Sequence, residues 1–174
     1  CDRVHLNWFN PMARASLEKT LTMLSAESMD FIKTLPYFRV LFGCRSVHGF
    51  PPDSAQTYLF QKAAPELRNA FLIMAEPICF IGHTHNLEII CFDGRQVERH
   101  PLPEGITALH PNNRYMINVG SVGQPRDGSN HAKYLIWDQD QARIEVRFIV
   151  YDIAATVAKI ETAGLPSVHA RRLW

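Results

Sequence analysis

Ile78-Cys79-Phe80-Ile81-Gly82-His83-Thr84-His85 is the stretch of this sequence that decides the fold. A short apolar run comes first, and a glycine and two histidines follow it directly. A continuous apolar run of this length is typical of a strand that is covered on both faces of a sheet. Open α/β sheets build their sites at the carboxyl ends of such strands. The stretch therefore predicts a central strand with a candidate site at its end.

The segments on either side predict a mixed α/β protein of helices and strands. Apolar residues at helical spacing predict helices after Asn10 and Ser25, another over 65–75, and a last one capped by Asp152. The residues between 101 and 114, which include three prolines, predict a loop. Segments rich in β-branched and aromatic residues predict the remaining strands, with Gly43 either bending one strand or separating two; they cover 38–42, 44–47, 87–92, 96–100, 115–119, 134–137 and 144–150.

Composition places the chain among ordinary globular proteins. Of its 174 residues 47% are hydrophobic and 20% are charged, and the formal net charge is +1. So small a charge gives no overall field that would attract nucleic acid or an anionic membrane surface. The four cysteines lack C-x-x-C spacing, which argues against a zinc ribbon and favours a reducing, cytoplasmic setting. No apolar run approaches the roughly 20 residues of a membrane-spanning helix.

Three histidines form a candidate metal site. In an extended segment, side chains two residues apart point to the same side, so His83 and His85 could reach one metal ion or two neighbouring ions. His48 lies 35 residues before His83, also at a predicted strand end and beside Gly49. Neutral imidazole suits Zn, Fe, Mn, Ni or Cu rather than Ca. The alternative is that these are ordinary hydrogen-bonded or solvent-facing histidines in polar turns.

Four strings in a fixed order resemble a known family. They are Ser-Val-His-Gly-Phe-Pro at 46–51, Asp-Ser-Ala-Gln-Thr-Tyr at 53–58, Ile-Gly-His-Thr-His at 81–85 and Asn-Val-Gly-Ser-Val-Gly-Gln-Pro-Arg-Asp-Gly at 118–128. In this order they resemble calcineurin-like metallophosphoesterases. Within that superfamily the chain is most similar to small bacterial and archaeal members that resemble phosphodiesterases or serine/threonine phosphatases. The resemblance runs from residue 1 to about Gly164, and each string alone is weak.

The resemblance implies a β-sandwich flanked by helices, with two divalent transition-metal ions at the strand ends. His48 and His83 would bind one ion and His85 the other, and the ions would be Mn, Fe, Zn or Ni. The implied activity is hydrolysis of a phosphomonoester or phosphodiester by metal-activated water. The sequence assigns no catalytic acid or base, and it leaves the substrate and the oligomeric state open.

The chain also departs from the family. The Asp-x-His and Gly-Asp-x-x-Asp motifs are absent, and Cys1-Asp2-Arg3 resembles only the tail of the Gly-Asn-His-Asp motif, with Cys1 in place of histidine. A bridged metal pair needs carboxylate to reduce the repulsion between the cations. The sequence therefore predicts the histidine half of a dinuclear site.

From this departure we expect residues 1–174 to form a single domain that is the C-terminal portion of a longer phosphoesterase domain, whose N-terminal strands and helices are missing. We also expect an uncovered apolar face beside the histidines. A non-catalytic metal-binding or interaction module derived from the same fold is the alternative. A metal-free α/β domain with surface histidines is a third interpretation.

Arg126 is the candidate substrate-binding residue, because a guanidinium can bind phosphate bidentately. The alternative is an arginine that is solvated or paired with Asp127. Glycines at 120, 123 and 128 predict turn positions with positive φ. They do not predict a phosphate cradle, since no P-loop Gly-Lys-Ser/Thr follows them.

Overall fold

The computed structural model describes residues 9–174, which contain five α-helices. They are α1 (Pro11–Leu21), α2 (Ala26–Thr34), α3 (Ala64–Ile73), α4 (Ile153–Thr162) and α5 (Ser167–Arg171). The predicted starts of three of them are confirmed, and Asn10, Ser25 and Asp152 each accept a hydrogen bond from a backbone N–H of the first turn. These caps satisfy donors that the helix itself leaves unpaired. None of these helices is long and apolar enough to cross a membrane.

Nine strands form two sheets in the described residues. They are β1 (Phe38–Leu41), β2 (Cys44–Val47), β3 (Ile78–Ile81), β4 (Leu87–Phe92), β5 (Val97–Pro101), β6 (Gly105–Ala108), β7 (Arg114–Val119), β8 (Ala132–Asp138) and β9 (Arg143–Ile149). The larger sheet has the order β1-β2-β3-β7-β4-β5 and the smaller one β6-β9-β8. Strands β2, β3 and β7 run parallel, and the other pairs are antiparallel. The predicted mixed α/β architecture is confirmed.

Strand β3 lies between two hydrophobic clusters and contributes side chains to both. Cys79 and Ile81 belong to a cluster that includes Leu67 and Phe71 of α3. Ile78 belongs to a second cluster, which includes residues of β9 in the smaller sheet. Successive side chains of a strand point to opposite faces, so helix α3 covers one face of the larger sheet and the smaller sheet covers the other. The prediction of a strand buried on both faces is confirmed.

The described residues fall into two compact units, 9–35 with 152–174, and 36–151. Both sheets, helix α3 and the three candidate histidines belong to the second unit. Residues Cys1-Asp2-Arg3, which resemble the end of a family motif, lie outside the described residues. That residues 1–174 form a single domain stays a prediction.

One expectation about the strands was wrong, and one open alternative is decided. The segment predicted as a loop over 101–114 contains β6, which pairs with β9 through the register Gly105↔Val146. Prolines at 101, 103 and 111 suggested a loop, but Ile106 and Thr107 are strand-favouring residues, and pairing with the distant β9 places them in a strand. At Gly43 the chain makes two strands rather than one bent strand. Phe42 and Gly43 both have positive φ, as a tight β-hairpin turn requires.

The apolar face that we expected beside the histidines lies on a neighbouring strand. Strands β2 and β3 bury most of their apolar side chains, whereas Phe38, Val40 and Leu41 of the edge strand β1 are exposed. A groove of about 590 Å³ runs beside β1 and reaches His48. The uncovered surface therefore extends from the hairpin to the strand ends beside His48, since Phe80 and Val119 also line the groove.

Candidate metal centre

The parallel strands β2 and β3 bring His48 and His83 together. Each strand ends just before its histidine, and the backbone N–H of Gly82 donates to the His48 carbonyl at 2.9 Å, so the pairing continues past the strands. The Nε2 atom of His48 lies 3.2 Å from the Nδ1 atom of His83. The rings meet nearly edge to face, with centroids 5.0 Å apart. Two of the three predicted ligands are therefore direct neighbours.

One backbone carbonyl and one aromatic ring fix the orientation of His83. Its Nε2 lies 3.1 Å from the Gln56 carbonyl. A carbonyl oxygen can only accept, so Nε2 carries the proton and Nδ1 is the nitrogen with the lone pair. The Tyr58 ring stacks on the His83 ring, with the two ring centroids 3.9 Å apart. The lone pair on Nδ1 of His83 is thus directed at Nε2 of His48.

The histidine pair of 83–85 adopts a tighter conformation than the expected extended one. His83 and His85 have φ values of 63° and 64°, which is the left-handed region. Histidine is enriched there compared with most side chains, but each such residue still costs about 1–3 kcal/mol. The intervening Thr84 is buried and its N–H donates to the Gly82 carbonyl at 2.7 Å. The chain makes a turn at the strand end, so the argument from strand alternation was wrong in its geometry.

Asn118, at the end of β7, fixes this turn from inside the protein. Its side chain is fully buried. Its Nδ2 donates to the Gly82 carbonyl at 3.0 Å and to the Thr84 hydroxyl, while its Oδ1 accepts from the Gly120 N–H at 3.2 Å. One amide therefore joins the 82–85 turn to the start of the 120–128 loop.

His85 makes two contacts with that loop. Its Nδ1 lies 2.7 Å from the Gln124 carbonyl, so Nδ1 carries the proton and Nε2 is left as the acceptor. The N–H of Arg126 donates to the His85 carbonyl at 3.2 Å. His85 also acts electrostatically on the other two histidines. It therefore lies in the same site as His48 and His83.

Burial and mutual proximity keep two of the histidines neutral. The pKa of His48 is lowered first by loss of solvation and second by His85. The pKa of His83 is lowered by loss of solvation and by His48, and further by His85 and Arg126, against an opposing hydrogen bond to Gln56. Both imidazoles are consequently in the deprotonated form at neutral pH, which is the form that binds metal ions.

These residues fit part of a metal centre. Two nitrogen ligands about 2.0–2.1 Å from a tetrahedral ion are separated by roughly 3.3 Å, and the observed His48–His83 nitrogen distance is 3.2 Å. His83 and His85 each donate their ring N–H to a backbone carbonyl and keep the other ring nitrogen as an acceptor, as metal-ligating histidines commonly do. Within residues 9–174, however, no group of three or more His, Cys, Asp or Glu side chains is arranged to hold a metal ion. The fit is to the imidazole part of a centre and lacks carboxylate.

Arg126 is exposed, and its charge acts on His83. The alternative of a pair with Asp127 does not hold, because Asp127 pairs with Lys133 at 2.9 Å. Of the three loop glycines, Gly120 and Gly128 have positive φ as predicted. Gly123 does not, so that part of the prediction was wrong.

Sequence reasoning assigned no role to Tyr58, Asn118 or the carbonyls of Gln56 and Gln124. All four positions lie inside the strings that resemble the family, which was the available signal. Their contacts cross 25 to 39 residues of sequence, so spacing alone could not reveal them.

Comparison with known proteins agrees with this fold. No family model matches the chain. An uncharacterized protein of Methanocaldococcus jannaschii is 30% identical over 178 residues, which span 97% of this chain and 68% of that protein. The crystal structure of a metallophosphoesterase from Sphaerobacter thermophilus superposes with a TM-score of 0.81 at 34% identity, over 95% of this chain and 67% of that one.

A second solved structure shares the fold. It is a hypothetical protein of Pyrococcus horikoshii, with a TM-score of 0.71 at 15% identity over 98% of this chain and 64% of that chain. The sheets and the histidine-bearing strand ends define a metallophosphoesterase fold. The chain belongs to the calcineurin-like metallophosphoesterase superfamily.

Proposed function

We propose that this chain carries the histidine part of a metal-dependent phosphoesterase site. The observation that carries the proposal is the pair His48 Nε2 and His83 Nδ1, which face each other at 3.2 Å. In this proposal His48 and His83 hold one divalent ion, and His85 holds a second through Nε2. Suitable ions are Mn, Fe, Zn or Ni, because imidazole is a good ligand for them. When bound, such ions acidify water and stabilise the charge that develops on phosphate oxygens.

The chain's own residues prepare the site for a phosphate ester. The carbonyls of Gln56 and Gln124 hold the rings of His83 and His85 in one tautomer each. Tyr58 shields one face of His83 from water. Arg126 supplies a cation beside His83 that could pair with a phosphate oxygen. Together these groups favour binding of a phosphate ester, either a phosphomonoester or a phosphodiester.

The second candidate function is a non-catalytic metal-binding or interaction module. It is favoured by one observation: the described residues supply imidazoles and no carboxylate group at the site. Both functions need the metal ion, and they differ in whether a phosphate ester is hydrolysed.

Equilibrium dialysis with Mn and Zn tests the proposal. We expect the wild-type chain to bind metal, His48→Ala and His83→Ala each to abolish the same site, and His85→Ala to weaken a different one. His100→Ala is the matched control, since the His100 side chain is exposed and lies beside the exposed Glu98. Absence of bound metal in the wild-type protein, or equal losses in the control, would contradict the proposal.

Turnover of an aryl phosphate distinguishes the two candidates. Within residues 9–174 no group of three or more His, Cys, Asp or Glu side chains is arranged to hold a metal ion, and two cations without bridging carboxylate repel each other. We therefore expect residues 1–174 to hydrolyse it slowly or not at all with added Mn, and a longer chain that includes the carboxylate motifs to hydrolyse it. Robust turnover by residues 1–174 would show that the half-site argument is wrong. Metal binding without turnover in either chain would favour the non-catalytic module.

A further inference from the structure

A buried ion pair lies behind the 120–128 loop. The side chain of Lys133 on β8 is 0% exposed, and its Nζ donates to Asp127 Oδ1 at 2.9 Å and to the His131 carbonyl at 3.2 Å. The same ammonium group lies 4.7 Å from the centroid of the Phe148 ring. An ammonium group is costly to bury unless it is paired and hydrogen-bonded. This lysine therefore holds Asp127 strongly in one position.

The 120–128 loop also contacts His85. The Lys133 N–H donates to the Ser121 carbonyl at 3.2 Å, and the Ser121 hydroxyl accepts from the Gln124 N–H at 3.0 Å. The Gln124 carbonyl then accepts from His85 Nδ1. A continuous series of contacts thus joins the backbone of residue 133 to the histidine ring, and the ammonium group acts on the same loop through Asp127. Asp127 forms the other connection, because it directly follows Arg126, whose N–H donates to the His85 carbonyl.

We propose that Lys133 is a positioning residue for His85. By pairing with Asp127 inside the protein, it holds the 120–128 loop in the conformation in which the Gln124 carbonyl fixes the His85 ring with Nε2 unprotonated. The value of this arrangement for metal binding rests on the proposed function. The positioning of the ring is a property of the metal-free chain and is tested separately.

Local sequence around Lys133 did not indicate this role. Lysine is rarely buried without a partner, and Lys133 precedes a predicted strand that begins at Tyr134. Its partner Asp127 lies six residues earlier, across a turn that includes Gly128. A role in stability alone is the competing explanation, so the test needs a measurement that stability does not change.

Long-range ¹H–¹⁵N correlation spectra of the metal-free chain at pH 8 report the tautomer of each neutral histidine. We expect wild-type His85 to show the Nδ1–H tautomer alone. We expect Lys133→Met and Asp127→Asn each to give a mixture of tautomers, because each breaks the same pair. Lys33→Met is the matched control: Lys33 forms a pair of similar length with Asp30, but both side chains are exposed.

The double variant Lys133→Met/Asp127→Leu separates positioning from stability. Replacing both partners of a buried ion pair by apolar side chains is often neutral for stability. We expect this variant to unfold at nearly the wild-type urea concentration and still to lose the single His85 tautomer. A folded double variant that keeps His85 entirely in the Nδ1–H form would overturn the proposal, even if the single variants do not fold.

Metal binding supplies the second measurement. Loss of a residue that orients a ligand commonly weakens metal affinity by about 10–100-fold, and we expect a decrease of about tenfold for Mn in the double variant. If the wild-type chain binds no Mn but the tautomer changes as described, the proposed function fails and the positioning role stands. If Mn binds and the tautomer is unchanged, the positioning role fails alone.

Discussion

Gly49, the residue that follows His48, is the position where a single added methyl group should disturb the site most. A Cβ at Gly49 would lie 2.7 Å from the Ser54 carbonyl oxygen, 2.8 Å from that of Thr57 and 3.0 Å from the Ala55 carbonyl carbon. Ordinary van der Waals contacts of a Cβ begin at 3.4 Å. All three neighbours are backbone atoms, which cannot move away by changing a rotamer. We therefore expect Gly49→Ala to shift the loop between His48 and Tyr58.

The magnitude follows from two opposing effects. Overpacking of this kind costs typically 1–3 kcal/mol, and the three backbone contacts place Gly49→Ala near the upper end. Replacing glycine by alanine also restricts the unfolded chain, which stabilises the protein by about 0.4–1 kcal/mol. The expected net loss is about 2 kcal/mol. For a chain of this size that corresponds to a decrease in Tm of about 4–8 °C.

Two other glycines provide matched controls. A Cβ at Gly82 would have its nearest neighbour 3.6 Å away, and one at Gly123 would have nothing within 4 Å. Neither residue has positive φ. We expect Gly82→Ala and Gly123→Ala to unfold at or slightly above the wild-type urea midpoint. If Gly49→Ala unfolds at the same midpoint as these two variants, with an unchanged m-value, the steric argument is wrong.

Two further predictions concern buried polar groups near the site. Glu76→Gln should lower stability by about 3 kcal/mol at neutral pH, because Glu76 and Arg45 are only 11% and 12% exposed and are joined at 2.9 Å. The hydrogen bond from Arg45 is the main cause of the lowered pKa of Glu76, so this stabilisation is present above the carboxyl pKa of the unfolded chain and is lost as pH falls through the lower folded value. Urea midpoints measured from pH 7 to pH 3 should converge for the two proteins, and a constant difference would contradict this assignment. Asn118→Leu should cost about 1–3 kcal/mol for each group left unpaired, namely the Thr84 hydroxyl and the Gly120 N–H, since the Gly82 carbonyl keeps its hydrogen bond from the Thr84 N–H. Denaturation should show this loss, and His83 and His85 resonances should shift while those of the exposed His100 do not.

The sequence alone predicted the elements whose structure depends on residues close by in the chain. The apolar run of 78–81 indicated burial on both faces, and the structure places its side chains alternately in two hydrophobic clusters. Asn10, Ser25 and Asp152 marked helix starts, because a capping side chain bonds to backbone only three residues away. The placement of His48 and His83 at strand ends was predictable for the same local reason.

The tertiary structure decided what depends on distant partners. Strand β6 exists because β9 pairs with it, although the prolines around it suggested a loop. The left-handed backbone of His83 and His85 depends on Thr84 and Asn118, which meet only when β3 and β7 pair. Sequence spacing suggested that three histidines share a site, but their tautomers and orientation come from the Gln56 and Gln124 carbonyls.

Lys133 shows the difference most clearly. In sequence it is a lysine beside a predicted strand, and the ordinary expectation for such a residue is exposure to solvent. The fold buries it beneath the 120–128 loop and supplies Asp127 as its partner. Local pattern determines which segments become strands and helices, because backbone preference and burial act within a few residues. The environment of a charged group is determined by the segments packed around it, and those are assembled only in the folded chain.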